Sequence, residues 1–213
     1  MWRTNKTIFQ GVLILLALVC LFLTGCSKKE KKVYRVGILR GLEYLIDIPM
    51  GFKEKMAELE YVEGENIIYD LQTTNFEPDK EERILKKFVE DEVDLIFTCP
   101  TEAAIRAKKI AEGSGIPVLF AFANIEETGL VESVRQPGGN ISGVRYPGPD
   151  IAIKRFEVLL ELVPEAKAIL IPYQRGYPIV DSQINALRPV AQALDIRLDE
   201  IPASNAEELK ANL

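Results

Sequence analysis

The 213-residue chain is 47% apolar, 8% aromatic and 27% charged, with 26 Lys+Arg against 32 Asp+Glu and no histidine. That is the composition of a globular protein. The missing histidine removes Ser-His-Asp and Cys-His nucleophilic sites, HExxH and His-rich metal sites, and the usual near-neutral general base. A net charge of −6 argues against the basic stripe that nucleic acid needs. Carboxylate chemistry, lysine chemistry and plain binding remain.

Met1 to Cys26 reads as an address. Arg3 and Lys6 precede a run from Ile8 to Leu23 that is apolar except for Gln10, and after Cys26 the chain turns abruptly polar. An uncleaved anchor is the alternative, but the densest apolar stretch, Val12 to Leu23, falls short of the ~20 residues that span a bilayer. The segment resembles a bacterial lipoprotein signal with its lipobox, Leu-Thr-Gly-Cys. That resemblance implies a signal peptide over 1–25, lipidation of Cys26, and a charged tether over 26–32. Cys20 then leaves with the signal and Cys26 becomes the anchor, so Cys99 stands alone without a disulfide partner.

Beyond the tether two periods alternate. Val33–Leu39 reads as a strand, and a helix starting near Asp47 and Pro49 carries Phe52, Met56 and Leu59 on one face until Gly64. Asn66–Leu71 is a second strand. Pro78 opens a helix with Ile84, Leu85, Phe88 and Val89 as its buried stripe. Val93–Thr98 is a third strand, Pro100 starts a helix over Thr101–Ala111, and Ile116–Ala123 is a fourth strand. A short helix around Glu127–Val134 and a Pro137-Gly138-Gly139 turn lead into the strand Asn140–Arg145. Short apolar strands between amphipathic helices predict an α/β fold with a doubly wound parallel sheet over 33–145.

Tyr146-Pro147-Gly148-Pro149 reads as a crossing between domains, over 146–150. The pattern then restarts over 151–213: a helix Asp150–Val163, a strand Ala168–Tyr173, a helix Asp181–Leu194, a strand Ile196–Ile201 and a helix from near Ser204. A sheet of two strands is too small to cover its own faces, so a truncated second lobe is expected.

In open α/β sheets ligands bind outside the carboxyl ends of the strands. Arg40, Glu43 and Tyr44 follow the first strand and line a cleft there, or form an ordinary solvated loop; neither GxGxxG nor a P-loop occurs. Thr98 and Thr101 bracket Pro100, which is placed at the first helical position. The amides of Thr101, Glu102 and Ala103 then suit a carboxylate or phosphate, an attraction that Glu102 partly offsets. Phe122 and Asn124, after the fourth strand, stack on or hydrogen-bond a small ligand, or belong to the core. Tyr173, Arg175 and Tyr177 are a further aromatic and cationic set that holds an aromatic or carboxylate ligand, or form an exposed turn. Cys99 reads as a small packed hydrophobe. No carboxylate pair stands out as catalytic, and no cofactor or metal motif is present.

Several stretches resemble a known family. Tyr61-Val62-Glu63-Gly64-Glu65-Asn66 is similar to the "GYVEGxN" of ABC-transporter substrate-binding lipoproteins of the tryptophan/tyrosine-binding type, and Pro137-Gly138-Gly139-Asn140-Ile141-Ser142-Gly143-Val144 to their "PGGNxTGV". Val93–Phe97 followed by Thr101-Glu102-Ala103-Ala104, and Leu159–Lys167, match as well, and the likeness runs from Val33 to Leu213. The resemblance implies a type I periplasmic-binding fold, two lobes closing by a hinge on a small ligand, with Thr98, Thr101 and Tyr173 lining the cleft. The family's "TDP" after the fourth strand is replaced by Asn124-Ile125-Glu126, so the acid that would meet an amino group is missing or displaced to Glu126.

The leading expectation is a monomeric, lipid-anchored solute receptor on the extracytoplasmic face. It binds a small organic ligand such as an amino acid, aromatic ones included, and delivers it to an ABC permease without catalysis or cofactor. The alternatives are an extracytoplasmic ligand-sensing domain of a signalling system, and an α/β enzyme working through carboxylates or lysine.

Overall fold

A computed structural model describes residues 32–213, so Cys26 and the signal segment lie outside the described residues. Val33–Leu213 is one compact unit holding two parallel sheets. The first contains β1 (Tyr34–Arg40), β2 (Ile67–Thr73), β3 (Leu95–Cys99), β4 (Val118–Ala123) and β5 (Ile141–Arg145), in the order β2-β1-β3-β4-β5. The helices between them are α1 (Asp47–Glu58), α2 (Pro78–Glu90) and α3 (Thr101–Ile110). This is the doubly wound α/β lobe expected from the alternating periods.

Alternation along β1 explains why both faces are covered. Val36 and Ile38 point to one side, where they pack with Phe97, Phe52 and Met56 of the β3 and α1 layer. Leu39 points to the other, against Leu85, Phe88 and the alanines of α3. Gly37 sits opposite Phe88: a Cβ there would lie 2.6 Å from the ring, so the glycine makes room for the largest fully buried side chain of the lobe.

The chain leaves β5 through Tyr146 and Pro147 and enters α4 (Gly148–Leu162), β6 (Ala168–Gln174), α5 (Val180–Ala193), β7 (Arg197–Ala203) and α6 (Ala206–Asn212). β6 and β7 pair in parallel as the second sheet. α4 and α5 cover one face through Ala152, Phe156, Leu187, Ala191, Ile169 and Ile171. Asn205 caps α6 by accepting the Glu207 and Glu208 amides at 3.0 and 2.9 Å.

Three local expectations are corrected. The helix around Glu127–Val134 is absent. Instead the Thr128 hydroxyl donates to the carbonyls of Asn124 and Ile125, Glu127 adopts φ 58°, and the segment folds as a turn that drives Leu130 into the core. Pro100 is the N-cap, not the first helical residue, because its ψ of −141° is not helical. α4 starts two residues earlier than read, at Gly148, inside the crossing. A single 3-10 turn, Glu43–Leu45, was not legible at all.

Candidate functional site

The carboxyl ends of β1, β3 and β4 meet the second lobe, and several buried polar atoms gather there. Asn124 follows β4 and is 3% exposed; its backbone N–H donates to Thr101 Oγ1 at 3.0 Å, which locks the end of β4 onto the start of α3. Asn124 Oδ1 is buried without a hydrogen-bond partner. It points at Gly148, where an added Cβ would stand 1.9 Å from it and 3.3 Å from Gln183 Nε2 of α5. Only a glycine fits at this seam. Thr101, Asn124, Gly148 and Gln183 thus form a contiguous path from lobe 1 through the crossing into lobe 2.

Thr98 lies in register between Leu39 and Phe120, fully buried, and its hydroxyl also has no partner. In α3 the first intrahelical bond runs from Ala104 N–H to Pro100 C=O at 3.1 Å. The amides of Thr101, Glu102 and Ala103 precede that ladder. Above them sits Glu102. Both of its carboxylate oxygens are sealed from solvent and neither is hydrogen-bonded. Arg106, one turn later, is not available to it, because its Nε is held 2.8 Å from Glu81, itself 1% exposed and bonded by Thr74. The end of a helix favours a carboxylate by about 0.3–1 kcal/mol, whereas desolvating one costs several kcal/mol. The helix end alone does not balance Glu102.

From lobe 2, Tyr177 faces Glu102. Its phenol is pushed up, first by burial, then by the Glu102 carboxylate and the nearby Tyr44. The Tyr177 phenol is near enough to act on the Glu102 carboxylate as a hydrogen-bond donor, yet no bond of standard geometry closes between them. Tyr44 itself is 75% exposed on the loop after β1. A second bridge between the lobes joins Asn185 Nδ2 of α5 to the Glu127 carboxylate at 3.1 and 3.3 Å.

Arg40 ends β1 and is 7% exposed, yet among the described residues it has no carboxylate partner. Its guanidinium donates to Thr73 Oγ1 at 2.7 and 3.1 Å and to the Glu43 carbonyl at 2.9 Å, all neutral acceptors. Glu43 contributes that carbonyl while its side chain is exposed. Phe122 occupies the left-handed region at φ 56°, at a register shift between Ala121 and Ala123, and its half-exposed ring lies 4.7 Å from that of Tyr146 at the crossing. Such strain is costly for an aromatic residue and concentrates at functional sites.

Of the residues read from sequence, the fold brings Thr98, Thr101, Asn124, Arg40 and Tyr44 to this edge, with Phe122 at its rim. Tyr173 is held elsewhere: its hydroxyl donates to Glu200 at 3.2 Å, and Glu200 is clamped by Arg188 at 2.8 and 2.9 Å. Arg175 is bonded to Glu208 and the Pro202 carbonyl within lobe 2. Glu126 is paired with Arg145, which also binds Asp150. Glu102 and Tyr177 were underrated by the sequence reading; the only hint was their position after a strand.

Cys99 is fully buried, and burial pushes its thiol up to about 11 against the smaller opposing pull of Arg40. It is a core residue at neutral pH. Among the described residues no group of three His, Cys, Asp or Glu could hold a metal, and no helix is long and apolar enough to cross a membrane. A surface depression of about 450 Å³ in lobe 2 is lined by Tyr173, Gln174, Ser204 and Asn205 at the carboxyl ends of β6 and β7.

This arrangement has clear relatives. The Tyrosine-binding protein of Clostridioides difficile (strain R20291) is 29% identical over 204 residues, covering 88% of this chain; the chain spans 58% of that protein's length. A solved structure of an ABC domain in complex with L-Trp from Streptococcus pneumonia superposes with a TM-score of 0.73 at 21% identity, over 84% of this chain and 60% of the other. A conserved domain protein from Vibrio cholerae does so with the same TM-score at 24% identity, over the same shares. A family model described as ABC transporter substrate binding protein matches residues 42–213. The type I periplasmic-binding architecture of two lobes is thereby shown, and the chain belongs to the ABC transporter substrate binding protein family.

Proposed function

We propose that this chain is the ligand-binding part of an extracytoplasmic solute receptor of an ABC importer, taking a small amino acid or aromatic ligand between its two lobes. The observation that carries the reading is the set of orphan polar atoms at one edge: Thr98 Oγ1, Asn124 Oδ1 and the Glu102 carboxylate, all buried and unbonded. Buried polar groups in proteins are satisfied, and those that are not mark sites completed by something else. Arg40, a buried cation bonded only to neutral oxygens, fits the carboxylate of such a ligand. Tyr44, Tyr177 and Phe122 offer aromatic walls. The relative named for tyrosine binding supports the ligand class.

In this reading the protein acts as a monomer, hands its ligand to a membrane permease, performs no catalysis and needs no cofactor. Lipidation at Cys26 holds it to the membrane, residues 1–25 are removed, and residues 146–150 form the crossing between lobes 33–145 and 151–213. Two acyl chains or more suffice for stable anchoring, whereas one is marginal.

Thermal denaturation of the full chain with each amino acid and with aromatic carboxylates tests the binding reading. A ligand at 100 times its dissociation constant should add about 2.7 kcal/mol of stability and raise the melting temperature. If none of these compounds shifts the transition, the reading fails. Replacing Cys26→Ala should move the protein from the membrane fraction to the soluble one; retention in the membrane would refute the lipid anchor.

A further inference from the structure

Most carboxylates of the described residues are either solvated or ion-paired, and Glu102 is neither. Its two oxygens are closed to solvent and make no hydrogen bond. The cation one helical turn away, Arg106, is committed to Glu81. The group that faces Glu102 is the phenol of Tyr177 from the second lobe, with Tyr44 of the loop after β1 acting on that phenol in turn. Neither carries positive charge. The result is a buried carboxyl group faced by a neutral phenol, placed where the lobes meet and with no cation beside it.

The cation that fits is organic. A metal ion needs several carboxylates, and among the described residues no such group exists. An ammonium needs one carboxylate and a few neutral acceptors, and it gains further from aromatic faces. The acid that the sequence offered for this task, Glu126, is already taken by Arg145 and by the Ile125 amide at 3.2 Å.

We infer that Glu102 receives the ligand's ammonium group and so makes the cleft select amino acids over aromatic acids of the same shape that lack the amine. This rests on the receptor reading and adds a recognition role for one residue. Arg40 on β1 and Glu102 on α3 then present opposite charges along one sheet edge, complementary to the two ends of a zwitterion. Tyr177 closes over the ammonium from lobe 2, its hydroxyl oxygen turning from the carboxylate to accept an N–H.

The test uses titration calorimetry on the full chain with L-tyrosine, L-tryptophan and L-phenylalanine, each beside its desamino analogue, the corresponding 3-arylpropanoate. Wild type should bind at least one amino acid about 10- to 100-fold more tightly than its analogue. Glu102→Gln, which keeps shape and removes charge, should abolish that preference while changing the analogue's affinity less than about threefold. Glu102→Asp keeps the charge one methylene further back and should retain part of the preference, which guards against a folding defect in the Gln variant. A preference unchanged in Glu102→Gln, or a wild type that favours the analogue, overturns the assignment and leaves the receptor reading standing. Binding of none of the six compounds overturns the assignment together with the amino-acid reading beneath it.

Discussion

The two lobes treat their polar groups in opposite ways. At the carboxyl edge of lobe 2 they are spent on one another: Tyr173, Glu200 and Arg188 form one chain, and Arg175 is tied to Glu208 and the Pro202 carbonyl. At the facing edge of lobe 1 the Thr98 hydroxyl, the Asn124 amide oxygen and the Glu102 carboxylate are buried without partners. The cores differ in the same direction. The first sheet is covered on both faces, the second on one, with Leu170 left 49% exposed on the other. A rigid, fully packed lobe can hold unsatisfied groups in place, because packing over-determines their position. In the reading proposed above, the recognition groups gather on lobe 1 and Tyr177 of lobe 2 faces them.

The largest effects should come from breaking the packing that holds this edge. Phe88→Ala should cost about 3–5 kcal/mol in chemical denaturation, whereas Phe156→Ala, in the thinner core of lobe 2, should fall at the low end of that range or below it. If the two costs were equal, the asymmetry in packing would not matter. Next comes a pH effect at Cys99 of lobe 1. The Cys99 thiol is raised from 9.0 to about 11, so the folded state holds its proton more tightly than the unfolded chain does. Its contribution is fully present below pH 9 and is lost as pH rises from about 9 to 11, amounting to about 2–3 kcal/mol. Cys99→Ala should flatten that alkaline fall, and an unchanged slope in urea unfolding at pH 8, 9, 10 and 11 would contradict it.

Gly148→Ala probes the seam itself. The new methyl group collides with Asn124 Oδ1, so the variant should lose about 1–3 kcal/mol of stability and bind ligand more weakly. Gly176→Ala, in open space at φ 75° but next to Tyr177, should lose only about 1 kcal/mol and weaken binding less than Gly148→Ala does. Equal binding losses would show that lobe 2 loops matter as much as the crossing. Smallest of all, Asp199→Asn breaks an exposed pair with Arg197 and should change neither melting temperature nor affinity measurably.

Much of this was legible in the sequence because the strands are continuous apolar runs and the helices carry clear stripes. The five strands of lobe 1 follow directly from that contrast. The segment after β4 misled, since Glu127–Val134 has helical composition; Thr128 instead spends its hydroxyl on nearby carbonyls, a competition that periodicity does not register. The candidate site was legible in position but not in detail. Thr98, Thr101 and Asn124 were found because they follow strands. Glu102 reads from sequence only as an offset to anion binding, and its spacing from Arg106 would also allow an ion pair on the same helix face. Only the tertiary contact between Arg106 and Glu81 shows that the pair does not form. Tyr173 and Tyr177 were indistinguishable from sequence, four residues apart on a strand end and a turn; the register of β6 with β7 decides which one is tied down.

The central claim, that a ligand is held between the lobes with its recognition groups on lobe 1, is tested most directly by amide hydrogen exchange of the full chain with and without saturating amino acid. Protection should rise both at Thr101–Ala103 and around Tyr177, with the larger gain at the start of α3, whose amides stand outside the helical ladder. Protection confined to lobe 2, or no change at Thr101–Ala103 under saturation, would contradict the account.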